Sequence, residues 1–151
     1  MTRAAKIANR IERTVSGPMW HGPALTDVLD GVPRERAAAR PIPGGHSIWE
    51  IVRHITAWAE IVKRRVGGEV VDPTSEQDWP PPPDQSHEGW ARDVERLSTS
   101  HRELAETTRR LQDAQLDAMV AGAEYPVSVM LNGVVEHGAY HGGQIALLKK
   151  S

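Results

Sequence analysis

Apolar residues recur along this chain at intervals of three and four, and four stretches keep that period long enough to predict helices. The first runs from about Thr2 to Val15, with Ile7, Ile11 and Val15 on one face. The second, Ser47 to Val66, carries Ile48, Ile51, Val52, Ile55, Trp58, Ala59, Val62 and Val66 as a wide stripe. Ser47 followed three residues later by Glu50 is a capping box that fixes its start. The third, about His87 to Leu111, turns Trp90, Val94, Leu97, Leu104 and Leu111 inward behind a cap at Ser86. The fourth, Val129 to Lys150, is predicted to be capped by Ser128, and Lys149 and Lys150 suit the negative end of its dipole. A shorter helix is predicted over Pro23 to Leu29, with proline in its first turn and Gly31 as its stop.

Between these blocks lie segments that read as connections. Residues 32 to 45 hold Pro33, Pro41, Pro43, Gly44 and Gly45, residues 69 to 85 hold Pro73 and the run Pro80 to Pro83, and residues 112 to 127 end near Tyr125-Pro126. No stretch alternates as a strand does. The expected fold is all-α: one four-helix-bundle domain over the 151 residues, joined by long crossovers.

Composition narrows the function. Eighteen basic against twenty acidic side chains give a net charge of −2, so no one-signed field recruits nucleic acid or anionic lipid. No apolar run approaches the ~20 residues of a membrane span, and the charged N-terminus lacks a signal-peptide core, so a cytoplasmic protein is expected. With no cysteine, any metal must sit on imidazole or oxygen donors.

Seven histidines are present. His137 and His141 are four apart in a helical block, so their rings lie one turn apart on one face. Met130, Val134, Ile145 and Leu148 set the apolar face of that helix; His141 falls near its middle and His137 toward its edge. Two imidazoles aimed into a core need partners. A metal supplies one for both; carboxylates or carbonyls would serve as well, and spacing alone leaves the choice open. His54 lies mid-helix in the second block, beside the stripe on the side of Trp58, Ile61 and Glu50. A third imidazole from a facing helix would complete a three-histidine site with an open position, the pattern of a catalytic centre. His21 and His46 are read as surface or cap residues that could reach a pocket mouth, and His87 and His101 as members of the polar face of the third block. Gly138, Gly142 and Gly143 sit inside the fourth helix at about 1 kcal/mol each relative to alanine, which points to close packing or to room for a ligand beside the histidine pair. Gln144 is placed to hold a substrate or a ligand ring.

Two segments carry a resemblance. The run His46-Ser47-Ile48-Trp49-Glu50-Ile51-Val52-Arg53-His54-Ile55-Thr56-Ala57-Trp58 and the run His137-Gly138-Ala139-Tyr140-His141-Gly142-Gly143-Gln144-Ile145 resemble the DinB-like (YfiT-like) metalloprotein superfamily. Gly17 to Pro23 and Asp78-Trp79-Pro80 extend the similarity. The resemblance implies an up-down-down-up four-helix bundle and a divalent ion, zinc or nickel, on His54, His137 and His141. It also implies a homodimer as a common state.

The resemblance does not fix a reaction. Relatives include enzymes that transfer low-molecular-weight thiols to electrophiles or use a thiol in isomerisation. The leading expectation is a metal-dependent thiol S-transferase acting on a small molecule, with Trp20, His21, Trp49, Trp58 and Tyr140 as pocket walls. A hydrolase would need a base, for which Glu50 and Glu136 are the acidic candidates, Glu136 being expected to point outward. A non-catalytic metal-binding stress protein is the reading from a different class.

Overall fold

A computed structural model describes all 151 residues and is helical throughout, without a strand. Four long helices form the bundle: α1 (Arg3–Ser16), α4 (Ile48–Val66), α6 (His87–Arg109) and α8 (Val127–Leu148). Four short ones lie in the connections: α2 (Leu25–Leu29), α3 (Arg34–Ala38), α5 (Ser75–Asp78) and α7 (Asp113–Asp117).

Local chemistry accounts for the ends. Thr2 caps α1 by accepting from the Ala5 N–H. At the other end the Gly17 N–H makes the last i→i−4 bond, to the Arg13 carbonyl, and its φ of 73° then turns the chain out of the helix. Ser47 and Glu50 form the expected reciprocal box on α4, and Ser86 caps α6. The start of α8 differs from expectation. Pro126 stands at its N-cap, φ −75°, and Ser128 is already helical. Backbone carbonyls replace the capping side chain: the Val127 N–H goes to the Ala118 carbonyl at 2.9 Å and the Val129 N–H to the Pro126 carbonyl at 3.0 Å. The connections expected to be irregular contain α3, α5 and α7. Proline ahead of α3 and the Thr74–Gln77 box around α5 give these short segments a local reason to turn.

Around the bundle the order is α1, α6, α4, α8, each long helix packing on two others. Side-chain pairs set the directions. Trp49 and Arg53 meet Asp93 while Lys63 meets Glu103, so α4 and α6 run parallel. Arg10 reaches Asn132 on α8, and a Cβ at Gly138 would face Thr14, so α1 and α8 also run parallel. His54 pairs with His137, and Val62 and Met130 wall the same cavity, so α4 and α8 run antiparallel.

The interior is two apolar clusters stacked end to end. One gathers around Ile11, Leu104 and Leu131, the other around Trp49, Leu97 and Ile145. Between them every long helix interrupts its apolar stripe with a polar residue: Thr14 on α1, His54 on α4, His101 on α6 and His141 on α8, all buried. Burial of one large aliphatic side chain contributes about 1.5–3 kcal/mol, so each interruption must be compensated by bonding. No helix is long and apolar enough to cross a membrane.

Candidate metal centre

The stripe on α4 carries His54 to the seam with α8, where His137 and His141 arrive from successive turns. His137 Nε2 lies 3.0 Å from His54 Nε2 and 3.1 Å from His141 Nε2. Three nitrogens held by one tetrahedral ion at ~2.05 Å would be roughly 3.3 Å apart, so the spacing needs only a small expansion. These three residues form a group able to hold a metal ion.

The proton bookkeeping favours a cation. His54 Nδ1 stands 2.6 Å from the Asp78 carbonyl, which can only accept, so the proton is on Nδ1 and Nε2 offers a lone pair. His141 Nδ1 donates to Gln144 Oε1 at 2.6 Å, with the same result. His137 Nε2 faces both lone pairs and can carry at most one hydrogen. At least one nitrogen pair therefore meets lone pair to lone pair, an arrangement a bound cation relieves. The imidazoles are also kept neutral. Burial lowers the pKa of His137 to about 3, reinforced by His141 and His54. Burial likewise lowers His54, against the Asp78 carbonyl, and His141, against Gln144.

The 69–85 connection supplies the outer layer. Asp78, at the end of α5, holds His54 Nδ1 with its carbonyl, and its carboxylate Oδ1 is 3.2 Å from the same nitrogen. Oδ1 also accepts from Trp58 Nε1 at 2.6 Å. Trp79 lies flat between two histidines, its ring centroid 3.7 Å from His54 and 3.6 Å from His46. The ring of His54 is thus fixed by a hydrogen bond at its edge and a stack on its face, the outer support that ligating histidines commonly have.

Cavities open on both sides of the histidines. One, of about 460 Å³, runs along the α4–α8 groove past His54, Trp58, Asp78 and His137. The other, of about 450 Å³, is bounded by His46, His54, Trp79, Tyr140, His141 and Gln144.

The remaining sequence candidates divide. Trp58, Tyr140 and Gln144 border these cavities. Trp20 and His21 do not: they border a separate hollow beside Arg10 and Arg13. Trp20 is fully exposed, held away by a turn at Met19–Gly22, and His21 bonds the Pro23 carbonyl. Trp49 is in the core, its N–H given to Asp93 at 2.7 Å and its ring against Trp90. Glu50 borders neither cavity. Its carboxylate takes the Ser47 N–H and the Arg40 guanidinium. Burial alone would raise its pKa, but those two donors outweigh it and hold the group below its usual value.

His101 also departs from expectation. It is 1% exposed, not on the polar face, with Nδ1 on the Leu97 carbonyl and Nε2 without a partner. Its place in the series 90, 94, 97, 101, 104 was the available signal. The clamp of Asp78 and Trp79 was missed in its role, because α5 is too short for periodicity to place it.

A family model described as the DinB superfamily matches residues 20–145. No curated protein and no solved structure gives a match.

Proposed function

The chain belongs to the DinB superfamily, and on that premise we propose a metal-dependent enzyme of the low-molecular-weight thiol S-transferase type, with zinc or nickel on His54, His137 and His141. The observation that carries this reading is the convergence of three imidazole nitrogens, two of them with lone pairs fixed by Asp78 and Gln144, beside two cavities. Three protein ligands are one fewer than a closed structural site uses, which supports catalysis over a purely structural ion. When bound, such an ion supplies positive charge that favours thiolate over thiol near neutral pH.

The chain's own residues do the rest. Asp78 and Trp79 orient His54, Gln144 orients His141, and the apolar cavity walls pack the carbon skeleton of the electrophile. The thiol gives up its proton to solvent, its sulfur bonds to the electrophilic carbon, and that carbon's bond to its leaving group breaks. A hydrolase is less well served. Glu50 is bound elsewhere, and the carboxylate of Asp78 is shared between Trp58 and His54. The same reading takes the working form as a cytoplasmic homodimer acting on small molecules.

Elemental analysis and turnover test it together. Purified protein is expected to hold about one divalent ion per chain, with His54→Ala and His141→Ala losing it. The wild type should accelerate conjugation of a low-molecular-weight thiol to a halogenated aromatic acceptor, and neither variant should. Metal retained in both variants, or no rate above background with any thiol of a bacterial panel, refutes the proposal.

A further inference from the structure

The geometry points to an elongated apolar carboxylic acid as the ligand of the α4–α8 cavity, its carboxylate on Arg65 and its far end at the three histidines. This deepens the function proposed above and rests on it for the reacting end. His54, Trp58, Val62 and Arg65 fall along one stripe of α4 and all border the cavity. Eleven residues separate His54 from Arg65, a rise of ~16 Å, so the histidines and the guanidinium stand at opposite ends. Between them the walls are Trp58, Val62, Met130 and Val134. The volume of about 460 Å³ suits a small molecule.

Arg65 is equipped to receive an anion. Its three hydrogen bonds go to uncharged oxygens: two to the Val71 carbonyl, at 2.7 and 3.2 Å, and one to Tyr125 Oη at 3.2 Å. A guanidinium has five N–H groups, so two remain, and the charge has no carboxylate partner. The guanidinium carbon also sits 5.5 Å from the Trp58 ring centroid, which holds the side chain along the cavity wall. Tyr125 Oη, which accepts from Arg65, keeps its own hydrogen to donate. At the other end the proposed function reserves the open position at the histidines for the thiol, and the Asp78 carboxylate beside His54 offsets part of an ion's charge, so Arg65 is the cation left for the carboxylate. A molecule with one carboxylate is therefore oriented: anion toward Arg65 and Tyr125, apolar body along the groove, opposite terminus at the histidines.

Calorimetry with decanoate, decanol and decylamine tests this on the 151-residue protein as purified, with metal content measured on the same samples. Decanoate should bind roughly tenfold to a hundredfold tighter than decanol, and decylamine weakest, as expected for a charge-assisted pair. Arg65→Met should erase the preference for decanoate. Gly133 borders the cavity, and a Cβ there would meet nothing within 4 Å. Gly133→Phe should therefore fill the groove without disturbing the bundle and abolish binding of both ligands, which keeps the test decisive if the Arg65 variant folds poorly. Equal binding of decanoate and decanol, no binding of either, or a preference that survives Arg65→Met overturns the assignment. The last result would place the carboxylate on the metal instead. Metal-free protein that still binds decanoate through Arg65 would refute the metal reading alone; metal-loaded protein that does not bind it would refute this one alone.

Discussion

The carboxylate of Asp78 can be removed without removing the main bond it frames. Asp78→Ala keeps the backbone carbonyl that accepts from His54 Nδ1 at 2.6 Å, so the tautomer of His54 is preserved. It deletes Oδ1, which lies 3.2 Å from that nitrogen and accepts from Trp58 Nε1 at 2.6 Å. Loss of an outer partner of a metal-bound histidine typically weakens metal affinity ten- to a hundredfold. Because the shorter of the two contacts survives, the expected loss is at the low end, about tenfold, or ~1.4 kcal/mol. Asp78→Asn keeps an acceptor for Trp58 but not the charge, and should fall between wild type and alanine. Competition for zinc against a chromophoric chelator at neutral pH reads all three constants. An alanine variant indistinguishable from wild type would refute the idea that this carboxylate positions His54. A loss far beyond a hundredfold would refute it too, because Asp78 would then be a ligand.

Two further expectations concern stability. A Cβ at Gly138 would overlap the Thr14 methyl, whereas one at Gly143 meets nothing; Gly138→Ala should cost about 1–3 kcal/mol and Gly143→Ala should gain up to ~1 kcal/mol, by urea unfolding. Thr14→Ser, which deletes the offending methyl, should relieve most of the Gly138→Ala penalty. His101 is held by burial at a pKa of about 4, below its unfolded value near 6.5, so the unfolded chain binds the extra proton first. Its contribution is full above the unfolded pKa and is lost as pH falls toward and through 4, a slope summing to roughly 3 kcal/mol. His101→Leu should flatten the stability profile over that window, and an unchanged profile would show that other groups carry it.

Much of this architecture was legible in the sequence, for a physical reason. Ile48 through Val66 and Met130 through Leu148 are long enough for their period to fix a face, which turns His141 and His137 inward and leaves His54 beside its stripe; that His54 meets α8 follows from the family resemblance and the fold, not from the period. Capping chemistry fixed the starts of α4 and α6. What escaped were features with no period to read. Alpha-helix α5 is a single turn, so Asp78 and Trp79 could be assigned to a loop but not to His54. Trp20 and Trp49 are alike in composition, yet a turn places one in water and the α4–α6 contact places the other in the core. The glycines of α8 separate similarly: Gly138 marks a close helix approach, while Gly143 marks none. His101 is polar, yet its position on the α6 stripe decides its place and carries it into the core.

The two histidines that face each other across the α4–α8 seam lie 83 residues apart in the chain. An ion gripping both would cross-link the bundle of a chain without cysteine, and because the site exists only when the helices are assembled, its binding free energy would be added to the folded state. Chemistry and durability would then draw on the same atom, and stripping it away would loosen the whole tertiary arrangement as well as silence the pocket.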